Sequence, residues 1–176
     1  MNLKLKRTPG IYLVGFMGCG KTTIGRNLAE RLGWRFVDVD GEIEAQRGLS
    51  IPEIFDTESE ERFREIETEA IRRYVHEVQN GQHMVLALGG GAFAQAANFD
   101  LLANNGLTVW LDCPLDTARR RVEGAGHRPL ARDPVKFGEL YHARREFYAR
   151  ADLHISIQSD DPGLAVESIL RSTELQ

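Results

Sequence analysis

Gly15-Phe16-Met17-Gly18-Cys19-Gly20-Lys21-Thr22 satisfies the pattern G-x-x-x-x-G-K-[ST]. Glycines at this spacing let the main chain curl so that successive N–H groups point inward at phosphate oxygens. Gly18, Cys19, Gly20, Lys21, Thr22 and Thr23 are therefore the candidate phosphate contacts. Lys21 would reach the β- and γ-phosphates and the Thr22 hydroxyl would ligate Mg²⁺. An apolar run at 11–14 leads in, and an amphipathic stretch over 23–32 leads out. The second would aim the positive end of a helix at the same point, so the segment predicts nucleotide binding.

Asp38-Val39-Asp40 closes the second apolar run. Alternation along a strand puts both carboxylates on one side of its carboxyl end, facing the phosphate loop. One would hold Mg²⁺ through water and the other would accept a hydrogen bond from an acceptor hydroxyl. Asp38 is assigned with Thr22 to Mg²⁺. The competing reading is a pair of helix-start acids, because a helix begins near Gly41. Gly89-Gly90-Gly91 follows the run 84–88, and three glycines cost backbone entropy unless something must approach bare backbone. A ligand is the expected visitor. Arg64 lies at the edge of an apolar helix face and Arg144 follows a Gly/Pro/Arg-rich segment; each alone reads as a solvated arginine. Arg128, inside that segment, is placed to swing onto a transferring phosphoryl group. Arg119, Arg120 and Arg121 precede it, and at least one should face solvent. Asp112 looks like the end of a Walker B strand, but Pro114 follows at once, so it is read as a helix N-cap.

These groups need a frame. Apolar runs at 11–14, 35–39, 84–88, 107–111 and 153–157 alternate with helical periodicity. The clearest helix spans 58–80, with Phe63, Ile66, Ala70, Ile71, Tyr74, Val75 and Val78 on one face. Five buried strands between helices predict a doubly wound α/β sheet with its site at the carboxyl ends of the strands. Two stretches exceed simple alternation: a helical insertion over 42–73, expected to bind an acceptor, and a lid over about 122–134, centred on 124–134. A lid matters because water competes with the acceptor hydroxyl.

The 176 residues suit one domain, with 42% hydrophobic and 27% charged residues. A net charge of −4 gives no case for nucleic acid or an anionic membrane. Four lysines against eighteen arginines favour planar grips on carboxylate and phosphate, although genome composition explains the bias equally well. Cys19 and Cys113 are too few and too far apart for a disulfide framework or zinc site. Residues 1–10 lack a signal-peptide core and no 18-residue apolar stretch exists, so a cytoplasmic chain is expected.

Together these pieces resemble the shikimate kinase family over about residues 11–170. The residues that carry the likeness are 15–25, Asp38-Val39-Asp40, Phe63-Arg64-Glu65-Ile66-Glu67, 88–92, Arg128-Pro129-Leu130, and Arg144 before Tyr148 and Ala151-Asp152. The resemblance implies a three-layer P-loop kinase fold of the nucleoside-monophosphate-kinase type, with a five-stranded parallel sheet. It also implies transfer of the γ-phosphoryl of ATP to the 3-hydroxyl of shikimate, and a monomer is expected. By the same likeness Asp40 contacts the shikimate hydroxyls and accepts the proton, while Arg64 and Arg144 clamp the carboxylate. Gly89, Gly90 and Gly91 line the ring; Lys21 and Arg128 stabilise the phosphoryl group in flight. Arg121 flanks the adenine, and Asp161-Pro162 resembles the adenine-side loop. The inventory agrees, since shikimate carries one carboxylate and three hydroxyls. The family usually has Pro two residues after the late arginine, where this chain has Glu146, and a second leucine where it has Ala131. The first departure leaves open whether Arg144 or Arg145 reaches the carboxylate. A gluconate- or nucleotide-type kinase, and a nucleotide-binding module without turnover, are the competing expectations.

Overall fold

Residues 9–125 and 133–173 are described by the computed structural model. Five strands form the sheet: β1 (Gly10–Val14), β2 (Arg35–Asp38), β3 (Met84–Ala87), β4 (Leu107–Asp112) and β5 (Leu153–Ser156). All pairings are parallel, in the order β2-β3-β1-β4-β5. Every residue of β1 and β3 is buried, as are the first five of β4. A strand covered on both faces has no solvent side to make polar, which is why these three read as unbroken apolar runs. The edge strands β2 and β5 are partly exposed and more mixed in sequence.

The helices are α1 (Lys21–Leu32), α2 (Val39–Arg47), α3 (Ile51–Thr57), α4 (Glu60–Gln79), α5 (Ala96–Asn104), α6 (Leu115–Ala125), α7 (Pro134–Tyr148) and α8 (Pro162–Thr173). With the sheet they make a three-layer α/β fold. α1 packs on β2, β3 and α8, while α4 packs on α2, α3 and α5. The long amphipathic helix is α4, and all seven of its expected core residues are buried. The insertion over 42–73 holds most of α2, all of α3 and the first turns of α4. Ser50 and Glu53 start α3 with a reciprocal capping box, and Ser59 caps α4. These caps fix sharp corners in a short segment.

Two boundaries differ from expectation. β2 stops at Asp38, whose carboxylate accepts the Gly41 N–H at 3.3 Å as the N-cap of α2. Asp40 therefore sits in the first helical turn, not on a strand beside Asp38. Acids at a helix start are favoured by its unpaired N–H groups, and that local gain ends the strand. Of the segment expected to be a lid, Gly124 and Ala125 still belong to α6, and Pro134 opens α7 behind an Asp133 cap. Arg128 and Ala131 lie outside the described residues.

Candidate active site

The phosphate loop joins β1 to α1 at the carboxyl edge of the sheet. Gly18 and Gly20 have φ of 83° and 95°, backbone that L side chains rarely adopt, so the curl needs glycine. Lys21 Nζ donates to the carbonyls of Gly15 at 2.7 Å and Phe16 at 3.0 Å. It thus lies along the loop that its own charge would complement. Cys19 is fully buried and fills the space inside the turn. The Thr22 hydroxyl donates to Asp38 Oδ2 at 2.9 Å. Asp38 therefore caps α2 with one oxygen and meets the phosphate loop with the other.

Beside the loop a cavity of about 530 Å³ is lined by Gly18, Gly20, Thr23, Arg121, Asp161 and Pro162, among others. Arg121 spans it, donating to the Gly18 carbonyl at 3.1 Å and to Asp160 at 2.7 Å. Asp161 turns the chain into α8 by accepting the Gly163 N–H at 2.9 Å. Arg120, 67% exposed, is the solvent-facing member of its trio.

The glycine triplet explains the other end. A Cβ on Gly89 would stand 2.7 Å from Asp40 Oδ1, and one on Gly90 would stand 3.1 Å from an Arg144 nitrogen. A Cβ on Gly91 would overlap the Arg64 guanidinium. Each glycine thus seats one charged side chain, and these residues come from α2, α7 and α4. The bare backbone is required by the protein's own groups as well as by any ligand. Tyr148 holds the seat in place, donating to the Gly90 carbonyl at 2.5 Å.

Arg64 is fixed from behind by Glu67, with Nη1 to Oε1 at 2.8 Å. Glu67 is 1% exposed, and burial raises its pKa to about 7 against the pull of Arg64. Glu67 Oε2 and Arg64 Nε have no hydrogen-bond partner among the described residues. Glu67 is one of the residues that carry the family likeness, and no chemistry follows from its place in the sequence alone. Its signal was visible: it lies four residues after Phe63 and three before Ala70, inside the apolar stripe. A carboxylate there must be paired.

Asp112 is not the N-cap that its position suggested. Arg145 forks onto both its oxygens at 2.5 and 3.0 Å, and His154 Nε2 lies 2.8 Å from Oδ2. Burial alone would raise the Asp112 pKa, but hydrogen bonds from Arg145 and His154 hold it below the ordinary carboxylate value. Arg145 is spent on this pair, whereas Arg144 lies against Gly90. The two adjacent arginines serve different places.

A glycine-rich loop of phosphate-loop pattern on the central strand of a five-stranded parallel sheet, with a cavity on one side and the cluster of Asp40, Arg64 and Arg144 on the other, is the arrangement of an ATP-dependent P-loop kinase. A family model described as shikimate kinase matches residues 17–174, and the chain belongs to the shikimate kinase family. The shikimate kinase of Persephonella marina is 42% identical over 161 residues, covering 91% of this chain and 96% of that protein. That of Synechococcus elongatus is 43% identical over 164 residues, covering 91% and 84%. Among solved structures, shikimate kinase from Acinetobacter baumannii in complex with shikimate gives a TM-score of 0.87 at 36% identity, covering 98% of each chain. Shikimate kinase from Aquifex aeolicus gives 0.79 at 33%, covering 94% and 96%.

Proposed function

We propose that this chain transfers the γ-phosphoryl group of ATP to the 3-hydroxyl of shikimate, giving shikimate 3-phosphate and ADP. One observation carries the reading: Asp40, Arg144 and Arg64 are seated one on each glycine of the triplet, next to the phosphate loop. Two guanidinium groups, a carboxylate and bare amides match an acceptor with one carboxylate and several hydroxyls.

In this reading Gly18, Cys19, Gly20, Thr22 and Thr23 cradle the phosphates, and Arg121, Asp161 and Pro162 bound the adenine in the lined cavity. Lys21 leaves the loop carbonyls for the phosphates, and Arg128 joins it from the lid. Arg64 and Arg144 grip the acceptor carboxylate, which turns the ring hydroxyls toward Asp40. Asp40 orients the attacking hydroxyl and takes its proton. Little base strength is needed, because the hydroxyl is barely deprotonated in a loose phosphoryl-transfer transition state.

Mg²⁺ fits the donor set. Thr22 Oγ1 and Asp38 Oδ2, 2.9 Å apart, are hard oxygens beside the phosphate loop. No group of three or more His, Cys, Asp or Glu among the described residues forms a cage of its own. Two protein oxygens, with water and phosphate completing the shell, are what Mg²⁺ prefers. When bound it would neutralise charge on the β- and γ-phosphates. Magnesium-dependent turnover, a monomeric cytoplasmic enzyme of one domain, and no nucleic-acid or membrane partner complete the reading. Among the described residues no helix is long and apolar enough to cross a membrane.

An ADP-release assay on purified protein tests the proposal. Turnover is expected with shikimate and none with gluconate or a nucleoside monophosphate. The reverse pattern ends the reading.

A further inference from the structure

Successive side chains of an α-helix point about 100° apart, so neighbours cannot share one target. On α7 this separates Arg144, against Gly90 and the Phe16 ring, from Arg145, against the end of β4. Tyr141, Arg145 and Tyr148 form one stripe along α7. The Tyr141 hydroxyl donates to the Cys113 carbonyl at 2.7 Å and Tyr148 to the Gly90 carbonyl at 2.5 Å. Between them Arg145 reaches Asp112 with both arms of its fork. Its guanidinium also lies 4.8 Å from the Trp110 ring centre and 5.4 Å from that of Tyr141. His154 stacks on Trp110 at 4.2 Å and 11° while contacting the same carboxylate.

We propose that Asp112, Arg145 and His154, packed on Trp110, form a positioning device that sets the rotation of α7 and so aims Arg144 at the acceptor carboxylate. A fork bound at both oxygens fixes an orientation as well as a distance, which a single hydrogen bond does not. Asp112 is rooted at the end of β4, next to β1, which feeds the phosphate loop. The device therefore references the acceptor arginine to the same strands that hold the phosphates. Rotation of α7 that freed Arg145 would carry Arg144 off Gly90. Arg145, Asp112 and His154 are positioning residues: they touch neither substrate.

The inference rests on the assignment of Arg144 to the acceptor carboxylate, and the test separates the two. Steady-state constants for shikimate and ATP are measured for Arg144→Ala, Arg145→Ala and the double variant. Arg145→Ala is expected to raise KM for shikimate roughly tenfold, since small misplacements of binding groups carry such costs. KM for ATP should stay within about twofold, and in the Arg144→Ala background the Arg145 change should add less than about twofold, because both act through one group. Arg145→Lys and Asp112→Asn, milder changes that keep a polar contact while losing the fork or its charge, should raise the same KM by a smaller factor. They decide the matter if Arg145→Ala does not fold. An unchanged shikimate KM in the Arg145 and Asp112 variants, or equal effects with and without Arg144, overturns the positioning role. An unchanged shikimate KM in Arg144→Ala overturns the acceptor assignment and the positioning role with it.

Discussion

In the proposed reading most of the phosphate end comes from one unbroken segment, Gly15 to Thr23, whereas the acceptor end draws on four places. Asp40 comes from α2, Arg64 from α4, the glycine triplet from the turn after β3, and Arg144 from α7. The first end is mainly a main-chain curl whose direction is set by glycine dihedrals. The second is built of charged side chains, two of them supported by another residue: Arg64 by Glu67, and the α7 arginine by its neighbour's hold on Asp112. A backbone cradle tolerates change in most of its side chains and is local in sequence. A side-chain pocket is sensitive to single substitutions and to protonation, and it exists only when distant elements have docked.

The sharpest way to break this contrast is to remove the charged side chain that the phosphate loop itself carries. Lys21→Ala should lower kcat by roughly 10²- to 10³-fold, the usual cost of deleting one preorganised charge-stabilising donor. Nucleotide should still bind through the backbone, which fluorescence titration with a labelled ADP would read; complete loss of binding would mean the cradle is not mainly main chain. Asp40→Asn should cut kcat at least about tenfold with nucleotide affinity unchanged, as expected for a group that only orients and takes a proton. Unchanged turnover would move that role elsewhere. Arg64→Ala should raise KM for shikimate roughly tenfold, the loss of one charge-assisted contact, with little change in KM for ATP. If ATP binding weakens instead, the two ends are not separable.

The smallest effect is a pH dependence confined to the acceptor end. Glu67 is charged above its raised pKa of about 7 and neutral below it. As pH falls through that value Arg64 loses its anionic partner, so KM for shikimate should rise a few-fold from about pH 8 to about pH 6 while KM for ATP stays flat. Glu67→Gln should remove the slope. The sign for stability runs the other way. Because the folded-state pKa lies above the ordinary carboxylate value, the group favours the fold most below its unfolded pKa and loses that contribution as pH rises through about 7. Glu67→Gln should therefore flatten the dependence of melting temperature on pH between the ordinary carboxylate value of 4.5 and about 7, measured by calorimetry.

The same contrast governs what could be read from the chain. The phosphate loop was legible because its chemistry is contiguous, and the strands because burial on both faces leaves unbroken apolar runs. The α4 face was legible from periodicity alone. Asp40 was placed on a strand because alternation was extended two residues too far; the cap from Asp38 to Gly41 begins the helix sooner. Asp112 misled because a carboxylate before Pro114 fits a cap locally, while its partners Arg145 and His154 lie far along the chain. The triplet announced a close approach, but only the fold shows that Asp40, Arg144 and Arg64 are themselves visitors. Which of two adjacent arginines meets Gly90 and which meets Asp112 is set by helix rotation, which depends on contacts between α7 and β4 that no local pattern contains.

β1 lies at the centre of the sheet, with Ile11 aligned to Val85 on one flank and Leu107 on the other. It precedes both of its flanking strands in the chain and must wait for them to be synthesised. Until then an apolar ribbon with two open edges is exposed to other chains, a hazard that grows with the length of chain still to come. The turn that grips phosphate is anchored to that ribbon, so a nascent chain has no means of catching nucleotide early. Ligand recognition in this architecture is a property acquired at the close of folding.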